Sequence, residues 1–408
     1  MASPARTALI VAAAASLTLL AGFAIKNECT FHDWADNYQY RHYCYSDILP
    51  LYYIRGLDTD DRPYLDEFSE YPVMTGFVTY LAARLTDTMQ GYMLVTFFFL
   101  LLSGFLATVL IHQLRLPVAN QLAWAASPAL VIHAYTNWDL VAVALAVGGW
   151  LAWRNDQRFA SALLFGLGGA TKLYPAFFLP FLFFDALKRR NATHAAHTFV
   201  GGTLGFGVPN FLVFLVAPHN WLEIWRFHLR RDPDFETPWQ ALLGDYGRTM
   251  PLEAYRELVA NLGGAAMVLA LLGLAYAQWR RRLDPLAAGA LLTLIFLLTN
   301  RVYSPQYTLW ALPFLAILAR PGLTLVAYYA ADLAVFWVRY KLFLPPPGQT
   351  EGWNLEWDPW HKLAVNLRWL LLAILTVLVA RAALRNGPRR SALDRGTRIS
   401  AAKQPDAG

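Results

Sequence analysis

Long apolar stretches alternate with shorter polar ones along nearly the whole 408-residue chain. A helix that crosses the hydrocarbon core of a bilayer, about 30 Å thick, needs about 20 mostly apolar residues. The pattern therefore predicts an all-α integral membrane protein, a bundle of about 12 transmembrane helices. The predicted helices comprise residues 7–25, 91–112, 118–133, 138–153, 159–171, 173–187, 198–217, 258–279, 285–298, 305–318, 323–338 and 363–382.

Positive charge is concentrated in alternate loops. The basic positions are Arg115, Arg154, Arg158, 188–190, 280–282, Arg320 and the C-terminal tail. The segment 26–71 is instead rich in Asp and Glu. Because Lys and Arg favour the cytoplasmic side, we expect the basic loops inside the cell and segment 26–71 outside it, as a long first extracytoplasmic loop. Both termini are then cytoplasmic, which agrees with an even number of helices.

Two segments have alternative interpretations. Residues 72–85 are apolar enough to span, but a span here would reverse the side of every later loop, so we interpret them as an interfacial or re-entrant helix on the outer side. The N-terminal stretch resembles a signal peptide, but its removal would leave an odd number of helices, and an uncleaved anchor is favoured. We therefore expect one polytopic membrane domain, residues 1–385, and a basic, disordered cytoplasmic tail, residues 386–408.

The composition agrees with a membrane protein. Hydrophobic residues make up 57% of the chain and charged residues 15%, whereas soluble domains carry about 25% charged residues. The net charge of +6 is typical of some nucleic-acid-binding proteins, but here the basic residues flank the predicted helices. The sequence thus excludes a soluble, a disordered and a nucleic-acid-binding protein. It indicates a multi-pass protein of the cytoplasmic membrane, with membrane lipids as partners.

The polar residues that suggest chemistry lie mainly in the predicted outer segments, which we expect to converge as one cleft. These segments are 32–71, 135–139, 171–175, 218–258, 300–306 and 340–362. In the first of them, Asp47 lies among aromatic and aliphatic residues, a partly apolar setting that suits a carboxylate to act as a general base. Asp36 and Glu70 are rivals for this role. A solvated acid with no special function is the simpler alternative.

Amides and cations at predicted helix ends are the next candidates. Asn137 and Asp139 open a helix, where they either cap backbone N–H groups or face the cleft. Lys172 and Arg301 are isolated cations at the same predicted outer depth. Both either extend to the lipid interface or bind an anionic phosphate together, Arg as a bidentate fork and Lys as a point charge. Charges at membrane depth are functional candidates by default.

Three further features have weaker or purely structural interpretations. His361 is a weaker candidate for a phosphate contact, with an interfacial aromatic belt as the alternative. The histidines show no metal-ligand spacing, and we predict no metal site.

The carboxylates of 232–234 are expected to form a solvated turn. Cys29 and Cys44, the only cysteines, lie in the first outer loop, where a disulfide can form; free thiols are the alternative.

Several of these segments, taken in order, resemble glycosyltransferase family 87, which belongs to the GT-C superfamily of integral-membrane sugar transferases. They are the first loop with Asp47 and Tyr52, Glu70-Tyr71-Pro72, Asn137-Trp138-Asp139-Leu140, the Gly-Gly-Ala-Thr-Lys-Leu-Tyr-Pro of 168–175 and the Ser-Pro-Gln-Tyr-Thr-Leu-Trp of 304–310. The candidate substrate-binding residues from these segments and their surroundings are Glu70, Tyr71, Asn137, Asp139, Lys172, Tyr174, Arg301, Tyr303, Gln306 and His361.

The resemblance implies a GT-C-like bundle and a polyprenyl-phosphate-mannose-dependent α-mannosyltransferase that acts outside the cytoplasmic membrane on a glycolipid or lipoglycan. The superfamily places its catalytic acid in the first outer loop, and Asp47 matches that position. The lipid-phosphate sugar is then the donor substrate, no cofactor is needed, and a single displacement inverts the anomeric carbon. An arabinofuranosyltransferase of the same superfamily and a transporter of lipids or sugar-lipids are the alternatives. Short inner loops favour the enzyme.

Overall fold

The computed structural model describes residues 4–247, 249–280, 282–349 and 351–386. The regular elements of these residues are helices, as the apolar pattern predicts. The tail predicted for 386–408 lies outside the described residues, apart from Asn386 at the end of the last helix.

The helices follow one another with short connections. The first α-helices are α1 (Pro4–Asn27), α2 (Tyr38–Arg41), α3 (Ile48–Ile54), α4 (Val73–Arg84), α5 (Met89–Gln113), α6 (Val118–Ala125), α7 (Pro128–His133), α8 (Asp139–Arg154) and α9 (Arg158–Thr171). The later ones are α10 (Leu179–Lys188), α11 (Ala192–Gly202), α12 (Val208–Val216), α13 (Pro218–Arg230), α14 (Pro238–Gly247), α15 (Leu252–Trp279), α16 (Pro285–Thr299), α17 (Thr308–Leu318), α18 (Leu323–Phe343) and α19 (Asp358–Asn386). Turns of 3₁₀-helix at Tyr174–Phe178 and Pro305–Tyr307 lead into α10 and α17, and the π-helical Thr203–Gly207 joins α11 to α12.

Within the described residues, five helical stretches are long and apolar enough to cross a membrane. They are Ala5–Thr30, Met89–Gln113, Ala192–Val216, Leu252–Trp279 and Leu355–Arg385. The predicted all-α membrane architecture is therefore confirmed. The other predicted stretches form shorter helices, so the number of about 12 spans stays a prediction.

α4 covers most of the segment whose span was in doubt. It has 12 residues, which corresponds to about 18 Å of helix, well short of the roughly 30 Å of a hydrocarbon core. This length agrees with the interpretation of 72–85 as an interfacial or re-entrant helix.

The apolar stretch predicted as one helix at 118–133 forms two, α6 and α7. α7 begins at Pro128, a residue that is well tolerated at the first position of a helix because its missing N–H would have no partner there. The Ser127 side chain caps α7 by accepting a hydrogen bond from the backbone N–H of Ala129 (3.2 Å). The break brings the connection between α7 and α8 to one end of the bundle.

A second interruption follows α9. The helix ends at Thr171, and Lys172 has extended backbone between α9 and the 3₁₀ turn that contains Pro175. Because the proline ring fixes φ and has no N–H to donate, α9 does not continue through this point. Lys172 is therefore held at a helix end.

The segment between α1 and α4 is fastened to the bundle. Cys29, just after α1, forms the predicted disulfide with Cys44. The backbone N–H of Asp47 donates to the carbonyl oxygen of Thr136, in the connection between α7 and α8 (2.9 Å). The start of α3 is thus held against the start of α8.

α8 occupies the centre of the bundle. Most of its residues are buried, and it packs against α5, α9 and α17. α9 also packs against α11 and the π-helical turn, where a Cβ on Gly205 would collide with the carbonyl oxygen of Leu163. α9 is thus packed on both sides, against α8 and against α11 with the π-helical turn.

Candidate active site

A cavity of about 1170 Å³ lies where α9 and α16 end and α8 and α17 begin. Its wall includes at least one residue from each polar segment that was predicted to converge: Tyr45, Thr136, Lys172, Ile224, Arg301 and Trp353. The predicted convergence is confirmed. Small-molecule sites measure about 300–1,000 Å³, so this cavity has room for a larger substrate.

Asp47 lies in the wall of this cavity at the start of α3. Its carboxylate accepts hydrogen bonds from the Tyr45 hydroxyl (3.0 Å), the Asn137 side-chain amide (2.9 Å) and the Gln306 side-chain amide (3.3 Å). Burial and the neighbouring Asp47 raise the pKa of the Tyr45 hydroxyl, which keeps it protonated as a donor. Among the described residues, therefore, neutral donors orient this carboxylate and no cation forms a salt bridge with it.

Asn137 connects Asp47 to Lys172. Its amide nitrogen also donates to the Tyr71 hydroxyl (2.6 Å), and its amide oxygen accepts from Nζ of Lys172 (2.8 Å). The same amide oxygen also accepts from the backbone N–H of Trp138 at the start of α8 (2.7 Å). Asn137 therefore binds a backbone N–H at the helix start, as the capping alternative predicted, and also contacts Lys172 and Asp47.

Lys172 is buried between an acid and an aromatic ring at the edge of the cavity. Nζ lies 3.7 Å from Oδ2 of Asp139 and 4.1 Å from the centre of the Tyr71 ring. Asp139 is fully buried, and its other carboxylate oxygen accepts from the indole N–H of Trp310 (2.6 Å). Since only 5% of Lys172 is exposed while the residue still lines the cavity, it does not extend to the lipid interface.

Arg301 belongs to a second group of cations in the cavity wall. Its guanidinium donates to the carbonyl oxygen of His228, and its own carbonyl oxygen accepts from the backbone N–H of Asp234 (2.8 Å). The pKa of Arg301 is lowered by burial and by the nearby Arg256 and Arg231. Three arginines therefore lie near one another here, and the Asp232 carboxylate partly offsets their charge.

The two rivals of Asp47 are placed differently. The Glu70 carboxylate lines the cavity but is bound by Nε of Arg55 at 2.8 Å. Asp36 is exposed and does not line the cavity. Of the three acids, Asp47 alone combines a place in the wall with neutral hydrogen-bond partners.

Tyr71 and Gln306 line the cavity. Five other predicted contacts do not: Asn137 and Asp139, which lie directly behind the wall, and Tyr174, Tyr303 and His361. Tyr174 is fully buried and stacks on Trp310, with ring centres 4.7 Å apart. The Tyr303 hydroxyl contacts those of Thr308 and Tyr328, both at 3.3 Å. His361 is buried, with Nε2 3.4 Å from a carboxylate oxygen of Glu236.

Glu236 is the centre of an ion-pair network that the sequence pattern does not reveal. Its buried carboxylate lies 2.7 Å from Arg339 and 3.4 Å from Arg368. Arg368 also contacts Asp332 (3.4 Å), and Asp332 contacts His133 (3.1 Å). Asp332 and Arg368 interrupt apolar stretches, a signal of buried charge that could have identified them.

The segment 232–234 is not merely a solvated turn, since it lines the cavity. Asp232 pairs with Arg256 (2.6 Å), and burial together with Glu236 raises the pKa of Asp234. Across the described residues, no group of three or more His, Cys, Asp and Glu side chains is arranged to hold a metal ion.

Comparison with known proteins gives two matches. The family model described as glycosyltransferase family 87 matches residues 68–299, more than half of the chain. The structure is similar to that of ArnT from Cupriavidus metallidurans bound to undecaprenyl phosphate, with 14% sequence identity and a TM-score of 0.46 over 99% of this chain and 82% of that one. No curated protein sequence matches significantly. The family match includes Asn137 and Lys172, begins after Asp47 and ends before Arg301. The chain belongs to glycosyltransferase family 87.

Proposed function

We propose that the chain transfers mannose from a polyprenyl-phosphate donor to a lipid-linked glycan or glycolipid on the extracytoplasmic face of the cytoplasmic membrane. Its family and its apolar helices make it a membrane glycosyltransferase, and family membership favours the transferase over the transporter. The observation that carries the proposal is that Asp47 and Lys172 both lie in the wall of one large cavity and are connected by hydrogen bonds through Asn137.

Asp47 acts as the general base. It removes the proton from an acceptor hydroxyl, whose oxygen then forms a bond to the anomeric carbon of the donor sugar. The bond from that carbon to the phosphate oxygen breaks, and its electron pair leaves with the polyprenyl phosphate. A phosphate leaves already ionised, so the site needs no second carboxylic acid, in contrast to a glycosidase. A single displacement inverts the anomeric carbon.

The surroundings of Asp47 suit this role better than those of Glu70. Amide and hydroxyl donors orient the Asp47 carboxylate without neutralising its charge, so it can still accept a proton. The Glu70 carboxylate is instead held in an ion pair by the Arg55 guanidinium at 2.8 Å. Asp139, fully buried behind the wall, positions Lys172.

Lys172 and Arg301 offset the charge that develops on the leaving phosphate. A cation held in place before the reaction stabilises developing charge without reorganising, which is the basis of electrostatic catalysis. An ammonium group has three donors, and Lys172 uses one of them on Asn137. Arg301 lies with Arg231 in the cavity wall, where positive charge attracts an anionic headgroup.

The loop charges support the extracytoplasmic side. The cavity lies at the end of the bundle where α9 ends, and α9 begins with Arg158 at the opposite end, among the basic loops. The positive-inside rule assigns that opposite end to the cytoplasm.

Transfer of radiolabel tests the function directly. The purified full chain is incubated with radiolabelled polyprenyl-phosphate-mannose and a panel of glycolipid acceptors, and in parallel with the corresponding arabinofuranose donor. We expect labelled glycolipid from the mannose donor only. Transfer from the arabinofuranose donor would show that the proposed donor sugar is wrong. If neither donor labels any acceptor, the proposed function is contradicted.

A further inference from the structure

A smaller cavity of about 330 Å³ adjoins the large one. We call it the aromatic side pocket; its wall includes Asn37, Tyr40, Phe343, Glu351, Gly352 and Trp353. Trp353 lines both cavities, so the two meet at one indole ring. The two cavities thus share one wall residue, and Trp353 is the point at which a ligand of the large cavity comes nearest to the aromatic side pocket.

The aromatic rings of this pocket hold one another in place. Phe343 contacts Tyr40 edge-on, with ring centres 5.3 Å apart, and Trp353 at 5.1 Å. Phe235 packs against Trp353 from within the large cavity at 5.6 Å. Trp353 is nevertheless 51% exposed. A fixed and exposed indole offers a large apolar surface at low conformational-entropy cost.

Polar groups stand beside these rings. The Asn37 amide does not cap the following helix α2, and Glu351 is exposed. Gly352 has a φ of +99° and no atom within 4 Å of the position that a Cβ would occupy, which leaves its backbone open to a ligand. The pocket thus combines a flat apolar surface with hydrogen-bonding groups, the usual composition of a small-molecule site.

The charges of the two cavities differ. The wall of the large cavity includes the cations Lys172, Arg231, Arg301 and Arg339 as well as four acids, whereas the described residues that line the aromatic side pocket include one acid, Glu351, and no Lys or Arg. An anionic phosphate therefore suits the large cavity and is disfavoured beside Glu351. A sugar ring, which presents an apolar C–H face and a rim of hydroxyls, suits the aromatic side pocket.

We infer that the aromatic side pocket binds a neutral sugar residue of the acceptor glycan, remote from the hydroxyl that reacts. The inference rests on the proposed function. Tyr40 stacks on Tyr45 with ring centres 5.8 Å apart, and Tyr45 donates to Asp47, so a short series of contacts connects the pocket to the proposed base. Acceptors whose glycan reaches the pocket bind more tightly than those that end inside the large cavity. Remote binding of this kind lowers KM.

The test compares two acceptors on the same lipid, one with a single neutral hexose and one with three. We expect the wild type to have a KM about 5- to 10-fold lower for the longer acceptor, a size typical of one aromatic contact.

Trp353→Ala should abolish this preference. Asn37→Gly removes the amide but tolerates the left-handed φ of +58°, and should weaken the preference even if Trp353→Ala fails to fold. Trp360→Ala, at a tryptophan that is 60% exposed and lines neither cavity, is the matched control and should retain it.

Binding of soluble mannotriose to the full chain in detergent, followed by saturation-transfer NMR, separates this inference from the proposed function. If mannotriose binds the wild type and not Trp353→Ala, the sugar subsite is supported even when no acceptor is labelled, and only the proposed function fails. If transfer occurs but both variants keep the preference for the longer acceptor, the subsite is overturned and the function stands. Binding of choline in place of mannotriose would also overturn it, since it would assign a cation to these rings.

Discussion

Replacing Glu236 with Gln is expected to destabilise the folded protein by about 3–5 kcal/mol, because removing one partner of a buried ion pair leaves the other charge uncompensated. The Glu236 side chain is completely buried, and Arg368, one of its two arginine partners, is 3% exposed. Arg339 contacts the same carboxylate at 2.7 Å. A glutamine side chain fits the space but brings no negative charge to either arginine.

The lowered pKa of Glu236 corresponds to a stabilisation free energy of similar size. Burial alone would raise it, but Arg339, His361 and Arg368 more than offset that effect and lower the pKa to about 2. A decrease from an ordinary value near 4.5 corresponds to roughly 3 kcal/mol. Because the folded-state pKa is depressed, this stabilisation is present above about pH 4.5 and is lost as the pH falls towards 2.

Thermal unfolding of the purified protein in detergent measures the effect. A loss of 3–5 kcal/mol corresponds to a decrease in Tm of roughly 5 °C for a chain of this size. The matched control is Asp66→Asn, which removes an acid from the exposed Arg62–Asp66 pair and should leave Tm nearly unchanged. Equal and small decreases in Tm for the two variants would refute the view that the buried ion pairs of Glu236 stabilise the fold.

Three further predictions concern the donor, the disulfide and the topology. Arg301→Lys keeps the charge but loses the bidentate fork, so we expect a higher KM for the donor; an unchanged KM in steady-state assays would argue against a phosphate contact. Replacing Cys29 and Cys44 by Ser opens a loop with a sequence separation of 15 and should lower stability by about 3 kcal/mol on the chain-entropy model; mass spectrometry showing both cysteines alkylated without reduction would rule the bond out in the cell. Reporter fusions should place Arg190 in the cytoplasm and Asp232 outside, and the reverse result would place the cavity on the other face.

Apolar runs of full membrane length were predictable from the sequence. Helices α5 and α15 contain the predicted 91–112 and 258–279 and extend a few residues beyond them. An apolar segment of this length is predictable as a helix because a spanning segment must satisfy its backbone hydrogen bonds internally. α13 was not predicted as a helix. It mixes charged and aromatic residues, so its apolar side, which contributes Ile224 and Trp225 to the cavity, has no uniform apolar signal.

The candidate site was predictable where its residues lie at the ends of apolar stretches. Asn137 and Lys172 were identified in this way, and the structure places them in contact. The partners of Glu236 were not predictable, since it lies 132 residues from Arg368 along the chain and no periodic pattern relates the two. Tyr174 and Tyr303 were included for their neighbourhood in sequence, but their side chains turn into the core.

The identity of the general base is the central claim, and the turnover of Asp47→Asn tests it most directly. Asparagine preserves the shape but cannot accept the proton, and general base catalysis commonly contributes about 10²–10⁴-fold. Glu70→Gln and Asp234→Asn are the matched controls, because both acids also line the cavity. We predict that Asp47→Asn lowers kcat by at least about 100-fold while donor binding and Tm are retained, and that both controls keep measurable turnover. Near-native turnover of Asp47→Asn, with Glu70→Gln or Asp234→Asn inactive, would contradict the account.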